Sequence, residues 1–194
     1  MPTVLTLKSK QRRMMEFYNN VIPQHRDVYI AIGYSSDWGP GQTQTEPTVP
    51  IETDTLDTYN TIIYGYQTYK EILFAKVIIN PTEEQKETAV YYKDVYYETI
   101  SDYQQALAEG YTRILMRFVL DKDEYSQLAG IAYNVIGMYT EVNPGDLSDK
   151  YFITPQQFNN LPIEDQGTLE LISTRGVITR SNDQTEDIMI LLEF

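Results

Sequence analysis

The chain holds one histidine, no cysteine and 28 carboxylates among its 194 residues, so the chemistry open to it narrows quickly. His25 stands between Pro23 and Arg26 in a helix-to-strand connection. A single imidazole supports neither a His-based metal centre nor a Ser-His-Asp relay. Without cysteine there is no thiolate zinc site, no thiol nucleophile and no disulfide. Asp121-Lys-Asp-Glu-Tyr125 resembles the opening of a calcium loop. However, Ser126 occupies the sixth position, where the turn needs Gly, and Ala132 the twelfth, where a bidentate Glu closes the site. Gly39-Pro-Gly41 has no Lys-Ser/Thr after it and no helix to open, so it cradles no phosphate. A glycosidase-type carboxylate pair is defined by separation in space, and no acid stands in an apolar context that marks it as buried. The residue inventory therefore points to no enzyme and to no metal or cofactor.

What remains is contact chemistry. Trp38 lies in the turn Ser35-Ser-Asp-Trp-Gly-Pro-Gly41 and is either a plug under its own loop or an interface anchor. From 39 to 61 the chain carries seven Thr, three Pro and the acids Glu46, Glu52, Asp54 and Asp57, with no basic residue. A connection this long without regular structure is uncommon inside a compact domain and is usually functional or disordered. We read it as an extended, Pro-stiffened arm lying over a surface, its own or a neighbour's. Trp38, Gly39, Pro40, Pro47 and Pro50 are the candidate partner-contact residues.

Composition points the same way. With Gly counted and Tyr left out, the apolar share is about 38%, below the roughly 45–50% usual in globular chains. The 17 Tyr make up the difference, and Tyr suits half-buried strand faces and contact surfaces because its ring packs while its hydroxyl stays wet. A net charge of −13 makes phosphate backbones and anionic membranes poor partners. That charge is unevenly placed: residues 1–26 hold Lys8, Lys10, Arg12, Arg13 and Arg26 against Glu16 alone. This basic end is either a solvated helix face or a docking element for an acidic surface on another copy or another protein. No apolar run approaches membrane-spanning length and residues 1–10 lack a signal-peptide stretch, so a soluble chain made in the cytoplasm is expected.

The elements that would position these residues follow from periodicity. Between 9 and 22, Met14, Met15, Phe17, Tyr18, Val21 and Ile22 fall within about 160° of helical arc, which predicts an amphipathic helix stopped by Pro23. Val28, Ile30 and Ile32 line one face of a strand over 28–34. Residues 72–79 read as a buried strand, 82–87 as a short polar helix or loop and 90–100 as a Tyr-rich strand. In 113–120, Ile114, Met116, Phe118 and Leu120 alternate with Arg113, Leu115, Arg117 and Val119, the pattern of a strand with one core face. One or two helical turns are expected over 121–129. Alternation over 131–142 shifts phase at Ile136 and Met138, which suggests a bulge or bend. Thr154-Pro-Gln-Gln157 offers an N-cap Thr, Pro at the first helical position and Gln three after the cap. Strands over 168–179 and 187–194 close the chain. The expected class is mainly β, a sandwich-like core with a few short helices in loops and an N-terminal amphipathic helix. The whole chain, 1–194, reads as one domain carrying the polar arm.

The two ends of the chain resemble a known family. Lys8-Ser-Lys-Gln-Arg-Arg-Met-Met-Glu-Phe-Tyr-Asn-Asn-Val21, then Ile30-Ala-Ile-Gly-Tyr-Ser-Ser-Asp-Trp38 and a Pro-rich polar stretch, are similar to the start of the baseplate wedge proteins called gene product eight in T-even phages. Gly130-Ile-Ala-Tyr-Asn-Val-Ile-Gly-Met-Tyr-Thr-Glu-Val-Asn-Pro144 and Asp183-Gln-Thr-Glu-Asp-Ile-Met-Ile-Leu-Leu-Glu-Phe194 look like that family's later strands. The elements keep their order over roughly the first 80 and last 80 residues, while the longer relative's large insertions are missing here. The resemblance implies a β-sandwich core, a homodimer in the wedge of a contractile tail's baseplate, contacts with other wedge and tail fibre proteins, and no catalysis. A receptor- or glycan-binding tail module is the alternative, since Tyr-rich β surfaces would serve it too; an acidic hydrolase is a third reading.

Overall fold

Fifteen residues with one apolar stripe begin the described chain: α1, Leu7–Val21. It starts two residues ahead of the sequence expectation because Thr6 caps it, its hydroxyl accepting from Ser9 N at 3.3 Å and its carbonyl from Lys10 N at 3.0 Å. The computed structural model describes residues 4–21, 28–34, 61–63, 71–122, 130, 132–145, 153–181 and 183–194. The described strands are β1 (Val28–Tyr34), β2 (Thr61–Ile63), β3 (Glu71–Val77), β4 (Val90–Tyr92), β5 (Val95–Ile100), β6 (Arg113–Leu120), β7 (Ala132–Thr140), β8 (Thr168–Thr179) and β9 (Glu186–Glu193). Short helices α2 (Glu83–Thr88), α3 (Tyr103–Ala108) and α4 (Pro155–Asn159) punctuate them, so the chain is mainly β with an N-terminal helix. It divides into two compact units, Met1–Pro23 with Lys70–Arg117 and Ile188–Phe194, and Gln24–Tyr69 with Phe118–Asp187.

The first unit is built on a five-stranded sheet in the order β4-β5-β3-β6-β9. The helix α1 packs on it as its stripe requires. Met14 is wholly buried, Phe17 meets Phe194 at 5.6 Å between ring centroids, and Tyr18 meets Phe74 of β3 at 5.0 Å. Tyr18 also stacks on Tyr103 of α3 at 5.1 Å, and Gln11 donates to the Leu107 carbonyl at 2.8 Å. The sequence reading passed over α3, although Asp102 caps it by accepting from Gln105 N at 2.6 Å. The stretch read as one strand over 90–100 is a hairpin, turned at Lys93 and Asp94, both with positive φ, as a two-residue primed turn needs. Instead of Asn-Gly, the sequence offers Lys-Asp there. The strand expected over 72–79 ends at Val77, and Ile79 is exposed.

The second unit carries a four-stranded sheet in the order β2-β1-β7-β8. As a central strand, β7 is buried from Tyr133 to Thr140 on both faces, which explains why its apolar residues lose their alternation. Its pairing with β1 is unbroken from Val28↔Thr140 to Gly33↔Val135. The register slips against β8 instead, between Tyr133 and Val135 and between Met138 and Tyr139, and the extra residues are on β8. Thus the phase shift marks two-sided burial of β7, with the irregularity on its neighbour. Val28, Ile30 and Ile32 share the expected buried face of β1, but Tyr29 and Ala31 are buried too. Those two join Val135, Tyr139, Val142, Ile153 and Phe158 in one core cluster. Thr154 and Gln157 form the expected capping box of α4, which seats Phe158 against Tyr139 at 5.4 Å. Gly167 has φ +71, and a Cβ there would collide with the Thr140 carbonyl oxygen and lie 2.8 Å from Val142 N.

Two outcomes follow from this packing. Removing residues 188–194 takes out buried Ile188 and Ile190 and the ring on which Phe17 rests, at about 1.5–3 kcal/mol for each core side chain, and should abolish the cooperative melting transition. Gly167→Ala should lower the unfolding free energy by about 1–3 kcal/mol in a denaturant titration, because both its φ and its space exclude a side chain.

Candidate interaction surface

Trp38, Gly39, Pro40, Pro47 and Pro50 lie outside the described residues, as does His25. Of the 39–61 stretch, only the backbone of Thr61 is described, as the first residue of β2 paired with Tyr34. The helical turns expected over 121–129 also fall outside, apart from Asp121 and Lys122. Among the described residues no group of three or more His, Cys, Asp or Glu could hold a metal ion.

The most concentrated polar chemistry described is a buried cluster in the second unit. Arg180, 2% exposed, directs Nη2 at the carbonyls of Leu120 (3.0 Å), Asp121 (2.8 Å) and Gln184 (3.3 Å), and its own carbonyl accepts from Gly130 N at 2.8 Å. Glu186, itself buried, pairs with Arg175 at 3.6 Å, and the Arg175 guanidinium lies 5.6 Å from the Tyr133 ring centroid. Burial first, and the Glu186 carboxylate second, push the Tyr133 hydroxyl well above the usual phenol range. Neither Tyr133 Oη nor Glu186 Oε2 closes a hydrogen bond of ordinary geometry, so we read their influence on each other as electrostatic. A phenol held neutral and a carboxylate held by Arg175 are a poor base and nucleophile. Instead, the cluster fastens the backbone at the end of β6, the end of β8 and the approach to β9. Sequence reasoning missed it because Arg175, Arg180 and Glu186 lie in ordinary polar stretches, and the only signal was the phase of β8 that turns Arg180 inward.

The tyrosines divide unequally between core and surface. Of the ten whose side chains are described, Tyr29, Tyr97, Tyr111, Tyr133 and Tyr139 are buried, four are half-buried and Tyr91 alone is exposed. Half of the tyrosines whose side chains are described therefore fill the core. Tyr91 packs on Tyr96 at 4.8 Å and donates to Asp94 at 2.8 Å at the tip of the β4–β5 hairpin. The other large apolar side chains described as exposed are Val4, Leu5, Leu7, Ile79 and Ile163. Three of these five precede or open α1, beside its basic face.

Arg180→Met should lower the unfolding free energy by about 3 kcal/mol in a denaturant titration, because three carbonyls lose their donor. Tyr111, in the first unit, has no solvent-accessible surface; burial, then the nearby Glu98 carboxylate, push it up to about 12. The unfolded phenol ionises near 10, so the contribution of this group is intact below about pH 10 and lost as pH rises through about 12. Tyr111→Phe should leave the neutral-pH melting temperature nearly unchanged, since its hydroxyl meets no hydrogen-bond partner, and should flatten the alkaline fall in melting temperature.

No curated protein matches the chain. A family model described as a baseplate wedge 3 tail fiber network component matches residues 9–194, which takes in most of α1, every strand described and all but Lys8 of the two end segments on which the wedge resemblance rests. The match begins within α1 and runs through Phe194, so it covers the elements of both units. The chain belongs to the baseplate wedge 3 tail fiber network component family of phage baseplate wedge proteins.

Proposed function

We propose that this protein links neighbouring tail, wedge and fibre proteins while the virion assembles, that it does so as a homodimer, and that it performs no catalysis. The observation that carries the reading is the family match over residues 9–194, whose description is of a tail fiber network in the baseplate. The residue chemistry supports it: one His, no Cys, and a buried Arg-Glu-Tyr cluster spent on holding backbone. The net charge of −13 argues against nucleic acid and anionic membrane as partners, and no described helix is long and apolar enough to cross a membrane. Synthesis in the host cytoplasm, followed by incorporation into the tail, completes the reading. A receptor- or glycan-binding module is the alternative reading, and a glycan array tests it directly.

The docking element on this reading is the Thr- and Pro-rich stretch over 39–61, with Trp38, Gly39, Pro40, Pro47 and Pro50 as contact residues. Its support is compositional: seven Thr, three Pro and no base make a segment suited to lying along another surface. Ordering such a segment costs about 1–2 kcal/mol per residue in backbone entropy, which contact with a partner would offset. Deleting residues 42–55 should therefore leave the melting temperature nearly unchanged while blocking incorporation into baseplates. Normal yields of infectious particles from the deletion would move the linking role elsewhere on the molecule.

A further inference from the structure

The formal charge does not divide evenly. The first unit holds ten basic and ten acidic residues, and the second holds five basic and eighteen acidic, so the whole net charge of −13 falls in the second. Within the first unit the basic residues gather at one end, with Lys8, Lys10, Arg12 and Arg13 against Glu16 on α1. Lys8, Arg12 and Arg13 are exposed. Arg12 faces Glu16 at 3.6 Å with both side chains largely in solvent, a pairing that leaves the guanidinium available to others. Immediately before these cations, Val4 is 91%, Leu5 42% and Leu7 54% exposed. The result is a strip that is apolar at its tip and basic along its length.

A surface of the opposite character exists on the second unit. Ile163 opens a 3₁₀ turn, Ile163–Asp165, and is 85% exposed, with exposed Glu164 beside it. Asp165 fastens this turn: its carbonyl accepts from Asn143 N at 2.9 Å and its Oδ1 from Asn143 Nδ2 at 2.9 Å. That tie brings the turn beside exposed Glu141, and Glu170, also exposed, accepts from Thr140 Oγ1 at 2.7 Å on the same strand end. Among the described residues of the second unit the exposed base is Lys122, because Arg175 and Arg180 are engaged with Glu186 and with backbone carbonyls.

We propose that the strip over residues 4–13 of one copy docks on the Ile163 turn of a second copy of this chain. Val4, Leu5 and Leu7 cover Ile163, while Lys8, Arg12 and Arg13 face Glu164, Glu141 and Glu170. This rests on the homodimer reading above and names its surface. Charge selects the pairing: strip on strip sets cations against cations and turn on turn sets acids against acids, so strip on turn is the one arrangement in which both signs match.

The test is sedimentation of the full chain at about 0.05 M and about 0.5 M salt, where the Debye length falls severalfold. Wild-type association should weaken at the higher salt. The variant Lys8→Glu/Arg12→Glu/Arg13→Glu and the variant Glu164→Lys should each self-associate at least about tenfold more weakly, with unchanged melting temperatures. Mixing the two should restore association, because each then meets its complement at both contacts, a result that a misfolded variant does not give. A wild-type chain that stays monomeric at both salt concentrations overturns the homodimer reading itself. A dimer that ignores both charge changes leaves that reading standing and overturns only this docking surface.

Discussion

The contact on which the first unit depends is aromatic: Phe17 on Phe194, and Tyr18 wedged against Phe74 and Tyr103. With no cysteine to crosslink, the N-terminal helix and the last strand are joined by ring packing, worth about 0.5–1.5 kcal/mol per pair beyond the area it buries. Phe194 is further fixed by its own backbone N–H, which donates to the Thr112 carbonyl at 3.2 Å. Residues from three chain segments thus hold one another in place. The basic face of α1 is displayed at a fixed angle because the opposite face is locked this way.

The second unit solves a different problem. The carbonyls of Leu120, Asp121 and Gln184, at the end of β6 and on the approach to β9, meet their donor in a side chain. Arg180 supplies the missing donors, and its guanidinium suits this because it stays charged and reaches several carbonyls from one side chain. Burying Glu186 beside Tyr133 is expensive unless a charge compensates, which half-buried Arg175 does, so the cluster contributes a defined geometry more than net stability. On the proposed linking role, such rigidity keeps a surface in one shape.

Elements with a strong local signal were legible in the sequence. The stripe of α1, the Thr-Pro-Gln-Gln box of α4 and the alternation of β6 appear where periodicity and capping put them. Less was visible where tertiary context decides. The hairpin at Lys93-Asp94 uses left-handed backbone at residues that rarely announce it. The two-sided burial of β7 erases the alternation that would have marked its ends, and α3 is a six-residue helix whose only sign was Asp102 three positions before Gln105. The Arg180 cluster was hidden because charge pairing across strands depends on register. For the contact residues named from composition, Trp38 through Pro50, the described structure is silent, and the sequence argument for them stands by itself.

The family places the chain in the phage baseplate, and its sequence and units offer a basic N-terminal helix in the first unit, an acidic second unit and a long polar stretch over 39–61. The proposed linking role draws on all of them. The most direct measurement is a cryo-electron microscopy map of the intact phage tail into which this chain can be placed. The account predicts that the chain lies in the baseplate with residues 39–61 covered by a neighbouring subunit. A map in which the chain is present but those residues face solvent, touching no other protein, would contradict it.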